Sequence, residues 1–202
     1  MICILDYGSG NVGSVNNILS FLGYETKISN NENDIKNSTH LILPGVGAFG
    51  PSMKKIQERI PFDILENEVV NKGKPFLGIC IGMQVLADKG YESGECQGFG
   101  WIEGTTEKID SKGLSLPHMG WNNIEIIKNS PIFEGLNNIN DFYFVHSYCF
   151  KEKNINHSLA KVEYGPKINA VIQKDNIFGF QFHPEKSQKA GQLILNNFLN
   201  IT

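Results

Sequence analysis

The sequence has no long hydrophobic run, no surplus of positive charge, no closely spaced cysteine pair and no repeated or low-complexity tract. Each absence excludes something. Its apolar stretches are short and broken by Gly, Pro or charged residues, so none reaches the roughly twenty residues a membrane-spanning helix needs. The formal net charge is -3, which leaves no basic footprint for nucleic acid or an anionic membrane. Cys3, Cys80, Cys96 and Cys149 stand far apart with no C-x-x-C among them. Neither a structural zinc site nor a disulfide framework is expected, and reduced thiols in a cytoplasm are. The opening MICILDYG carries no basic residue ahead of its apolar run, and Asp6 ends that run early. It is expected to be a first strand and not an export signal. With no linker-like stretch, residues 1–202 are expected to form a single domain.

What is present is a strand–helix alternation. MICILDY, YETKIS, THLILPG and PFLGIC read as strands, the second of them edge-like. Helical spacing appears over 12–22, with Val15, Ile18, Leu19 and Leu22 on one face, then over 48–59, 62–72 and 81–87. This predicts an α/β fold with a mostly parallel sheet flanked by helices. From about residue 99 the texture changes to shorter β-like runs: WIEGTTEKI, WNNIEII, FYFVHSYCF, HSLAKVEY, NAVIQ and IFGFQF. That half reads as largely antiparallel, closed by a helix from Ser187 to Leu199.

Three fragments carry chemistry. Gly78-Ile79-Cys80-Ile81-Gly82 has the pattern of a nucleophile elbow with cysteine as the nucleophile. Glycines two residues either side relieve a tight strand-to-helix turn, and the Ile81 N–H can donate to an oxyanion. Alone, the five residues fit a buried structural cysteine equally well. GFQFHPEKS places Glu185 two residues after His183, so one strand end could supply a base and its orienter. Alone, it fits a surface proline turn. LILPGVGAFG ends a strand in a Gly-rich turn, where Gly45 and Gly47 would let backbone N–H groups approach a developing negative oxygen. It lacks the Lys-Ser/Thr of a phosphate loop. GSGNVG mimics a dinucleotide fingerprint, but no convincing acidic residue follows the second strand, so no cofactor is expected.

In this order, PGVGAFG, GICIGMQ and FHPEKSQ resemble the class I (triad) glutamine amidotransferases. With DYGSGN, PHMGWN and YFVHSY, the chain resembles one branch of them, the glutaminase subunits of imidazole glycerol phosphate synthase, from Ile4 to Phe198. The resemblance implies that Cys80, His183 and Glu185 are the triad and that Gly47 and Ile81 form the oxyanion hole. It also implies that Gln84, His146, Ser147 and Tyr148 hold L-glutamine. The partner would be a (β/α)8-barrel cyclase in a heterodimer of histidine biosynthesis, meeting Met119, Trp121, Tyr143 and Lys186; Trp121 also suits a core aromatic. A flip around Val46 would make the oxyanion loop competent. No metal or cofactor is implied. Ile81 departs from the more common Leu, and Cys149 stands where Tyr or His is frequent. The paralogous subunit that feeds a sugar amidotransferase of surface-polysaccharide synthesis stays open, as do a silent scaffold and a stand-alone cysteine hydrolase.

Overall fold

The structure, a computed structural model, describes residues 1–137 and 139–201. In chain order the strands are β1 (Ile2–Ile4), β2 (Thr26–Ile28), β3 (His40–Gly45), β4 (Phe76–Cys80), β5 (Lys89–Gly90), β6 (Cys96–Gln97), β7 (Gly104–Lys108), β8 (His118–Ile126), β9 (Asp141–His146), β10 (Tyr148–Glu152), β11 (Ser158–Glu163), β12 (Lys167–Lys174) and β13 (Ile177–Phe180). The helices are α1 (Val12–Phe21), α2 (Glu32–Asn37), α3 (Phe49–Arg59), α4 (Phe62–Glu66), α5 (Ile81–Gln84) and α6 (Gln188–Leu199). Among the described residues one sheet runs β2-β1-β3-β4-β13-β12-β11-β8-β9 and a smaller one β10-β7-β5-β6.

The large sheet is parallel from β2 through β13 and antiparallel from there to β9. Its centre, β3 and β4, is buried at every position, as parallel strands covered on both faces must be. Alternation along the strands divides the core. Ile4, Ile42 and Leu77 face one way, with Val15 and Leu19 of α1 and Ile194 and Phe198 of α6. Leu5, Leu41 and Leu43 face the other, with Phe49, Met53 and Ile56 of α3.

The sequence reading and the structure differ in instructive places. Helix α2 has no apolar periodicity to betray it, since only Ile35 is buried; Asn31 caps it by accepting from the Asn33 N–H at 2.8 Å. The helix expected over 62–72 is α4 running into a π-turn at Asn67–Asn71. The helix expected over 81–87 stops as α5 at Gln84. IFGFQF sits at the junction of the two halves: β13 lies antiparallel to β12, as expected, and parallel beside β4. FYFVHSYCF is two strands, β9 and β10, which part at Ser147 into different sheets. All four cysteines are unpaired, and among the described residues no helix is long and apolar enough to cross a membrane.

Candidate active site

β4 ends at Cys80, whose φ of 56° and ψ of -107° lie where an L-residue rarely stays. The turn is so tight that a Cβ on Gly78 would sit 2.2 Å from the Gly82 carbonyl oxygen. One on Gly82 would sit 1.9 Å from the Leu43 carbonyl oxygen of β3. Both glycines are therefore required by contact. Together they let the chain reverse direction and present the Cys80 side chain at the C-terminal edge of the parallel strands, where open α/β sheets form their crevices.

His183 arrives at the same edge because β13 pairs with β4 in parallel register, Phe180 opposite Ile79. Its backbone N–H donates to the Tyr143 carbonyl at 2.9 Å, tying it to β9. The imidazole and the Glu185 carboxylate are both almost fully buried, with Nδ1 to Oε1 at 2.9 Å. A carboxylate only accepts, so Nδ1 carries the proton and Nε2 is left for the thiol. That Nε2 is buried and makes no hydrogen bond of ordinary geometry. Burial pulls the His183 pKa down, but the nearby Cys80 sulfur and the hydrogen-bonded Glu185 carboxylate outweigh it and lift it to about 10. Burial likewise raises Glu185, and the His183 ring and the Asn11 amide outweigh it, holding its pKa below the usual carboxylate value. Asn11 Nδ2 donates to Glu185 Oε1 at 3.1 Å.

A cavity of about 260 Å³ opens beside the thiol. Gly47, Cys80, Ile81, Gln84, His146, Ser147, Tyr148 and His183 all line it. Gly47 adopts φ +103°, a backbone that favours glycine. The Val46 N–H is committed to the Ser9 carbonyl at 3.3 Å. Gln84 Nε2 donates to the Tyr148 carbonyl at 2.9 Å and to Gln181 Oε1 at 3.2 Å, while Gln84 Oε1 is buried without a partner. His146 has both ring nitrogens occupied by protein neighbours, Tyr148 and His118.

Sequence reasoning missed two polar residues here. Glu92, in the turn between β5 and β6, lines the cavity and accepts from the Phe49 N–H at 2.8 Å. Nothing in its local sequence marks it. Asn11 was signalled only by its place in DYGSGN. Among the described residues no group of His, Cys, Asp and Glu is arranged to hold a metal ion.

The docking candidates lie together outside this cavity. Trp121 is opposite Tyr143 in the β8–β9 register, with ring centroids 6.0 Å apart. Lys186 Nζ stands 5.6 Å from the Tyr143 ring centre. Met119 is 61% exposed and Trp121 45%, so Trp121 is a surface aromatic and no part of the core.

The sequence model of the family glutamine amidotransferase class-I matches residues 3–201. The chain is 45% identical to the imidazole glycerol phosphate synthase subunit HisH 1 of Campylobacter jejuni, over all of both chains. It is 44% identical to the imidazole glycerol phosphate synthase subunit HisH of Caldanaerobacter subterraneus subsp. tengcongensis, covering 98% of this chain and 97% of that one. A crystal structure of a glutamine amidotransferase superposes with a TM-score of 0.74 at 20% identity, covering 98% of this chain and 96% of the other. That likeness extends to the fold.

Proposed function

The chain belongs to the class-I glutamine amidotransferases, and from that premise we propose that it is the glutaminase subunit of an imidazole glycerol phosphate synthase. The full-length identity to relatives of that name supports the pathway. The observation that carries the chemistry is that Cys80 and a His183 oriented by Glu185 open on one cavity.

In this reading the side-chain amide of L-glutamine enters the cavity and Cys80 Sγ attacks its carbonyl carbon. His183 Nε2 already holds the proton given up by the thiol, so the attacking sulfur is the thiolate; the ring passes that proton to the nitrogen as the C–N bond breaks, so ammonia leaves and a glutamyl thioester remains. A water that gives its proton to His183 then attacks the thioester, releasing glutamate and restoring the thiolate. The Ile81 N–H meets the oxyanion, joined by backbone at Val46–Gly47 once the Val46 N–H leaves Ser9. Gln84 Oε1 and the Glu92 carboxylate offer acceptors for the substrate α-ammonium, and Ser147 and Tyr148 form the facing wall.

Ammonia released to bulk water becomes unreactive ammonium, so the product needs an enclosed path. A (β/α)8-barrel cyclase docked on Met119, Trp121, Tyr143 and Lys186 supplies it and completes the heterodimer. The test measures glutamate release by the chain alone, with the cyclase of the same genome and its nucleotide ligand, and with Cys80→Ala. Weak turnover alone, strong stimulation by the cyclase and none in the variant is expected. Cys80-dependent turnover that ignores the cyclase would favour the paralogous subunit that supplies ammonia to a sugar amidotransferase. No turnover by a folded chain would overturn the glutaminase reading.

A further inference from the structure

His118, the first residue of β8, takes no part in the chemistry above, yet it is 3% exposed and sits one residue before Met119, which is 61% exposed. It stands directly opposite His146 of β9. Its ring is stacked between Phe144, at 4.8 Å and 20°, and Tyr164, at 4.1 Å and 23°.

The hydrogen bonds around it have only one self-consistent direction. The Tyr148 carbonyl can only accept, so His146 Nδ1, 2.8 Å away, donates. In a neutral ring His146 Nε2 is then an acceptor, so His118 Nδ1, at 3.1 Å, donates to it. His118 Nε2 becomes the acceptor, 3.4 Å from Asn122 Nδ2. Burial keeps both rings neutral at physiological pH, pushing His118 down to about 4 and His146 to about 3. The same Tyr148 carbonyl accepts from Gln84 Nε2. The proton on His118 Nδ1 thus excludes the other His146 tautomer, which would turn a bare nitrogen toward the carbonyl that orients Gln84.

We propose that His118 is a positioning residue: acting through His146 it fixes the Tyr148 carbonyl, and with it Gln84 and the Ser147 turn, so that the outer face of β8 and the glutamine pocket move as one unit. Met119 follows His118 on that outer face, and the carbonyl of its register partner Val145 lies 3.9 Å from Cys80 Sγ. Pressure on the docking face therefore reaches both the pocket wall and the thiol through one strand pair. This rests on the glutaminase reading.

The test compares glutamate release over a range of glutamine concentrations for the full chain with its cyclase, as wild type, His118→Phe, His118→Asn and Cys80→Ala. Phe keeps the ring stack and removes the donor. Asn places an amide nitrogen near the position of Nδ1. Losing one buried hydrogen bond that sets the pocket should raise KM in His118→Phe about tenfold while kcat changes less, and His118→Asn should recover most of it. An unchanged KM in His118→Phe, or equal impairment in both variants, overturns the proposal. If Cys80→Ala releases glutamate as fast as wild type, the glutaminase reading falls instead. Imidazole nitrogen spectra of wild-type protein test the relay without any variant. Both rings should be neutral with Nδ1 protonated between about pH 6 and 8, and a proton on either Nε2 overturns it.

Discussion

His183 is buried, and burial alone would keep it neutral; its neighbours decide otherwise. Cys80 on one side and Glu185 on the other hold its pKa above the ordinary 6.5, at about 10. The sign of the linkage follows. A group whose folded pKa is raised contributes stability that is fully present below 6.5 and is lost as pH climbs through about 10. Thermal unfolding between those pH values should show a loss in wild type that His183→Gln lacks, and equal losses in the two would place the linkage elsewhere. Single residues also mark the limit of reading by type. Trp121 suits a core as well as a docking face by type, and its 45% exposure, opposite Tyr143, puts it on the outer face. Glu92 has no local signal at all, because its relation to the cavity is made by a turn that brings it to the Phe49 N–H across 43 positions of chain.

At the scale of the element, the β4–α5 turn is the part the sequence states most openly. G-x-C-x-G is legible because contact leaves no alternative at Gly78 and Gly82. A methyl at Gly82 would have to push β3 away, since Leu43 is its neighbour and backbone cannot swing aside. Gly82→Ala should therefore cost about 3 kcal/mol of stability and the Cys80-dependent activity. Gly13 in α1 is exposed, meets nothing within 4 Å and is not followed by a proline, and Gly13→Ala should gain roughly 0.5–1 kcal/mol through helix propensity. Denaturant unfolding of the pair checks both signs; equal stabilities would mean that backbone contact does not hold the elbow. The β9–β10 break is the opposite case. FYFVHSYCF is apolar or aromatic apart from His146 and Ser147, and neither residue type by itself marks a break, so the pattern does not state that the strand divides at Ser147. The division is set by which neighbour each half finds, β8 for one and β7 for the other.

For the whole molecule, the site and the proposed docking face are two ends of one arrangement. The parallel strands bring Cys80 and His183 to a common edge, and β8–β9 extends the same sheet to Met119 and Trp121. Trp121→Ala should leave the stability of the chain within about 1 kcal/mol, because the ring is half exposed, and should weaken cyclase binding at least tenfold, as aromatic anchors do. Titration calorimetry with the cyclase measures this, and unchanged affinity would remove Trp121 from the docking face. The sequence by itself determined the strand–helix alternation, the strained turn at Cys80 and the H-P-E at His183, because propensity, glycine contacts and short spacings are local properties. It also carried the family likeness, which matched motifs recognise without any folding. Only the tertiary structure decided that β13 lies beside β4, that Asn11 reaches Glu185 across 174 positions, and that His118 meets His146. Those are pairings between distant segments, selected by burying both faces of one sheet, and nothing in either partner's local sequence names the other.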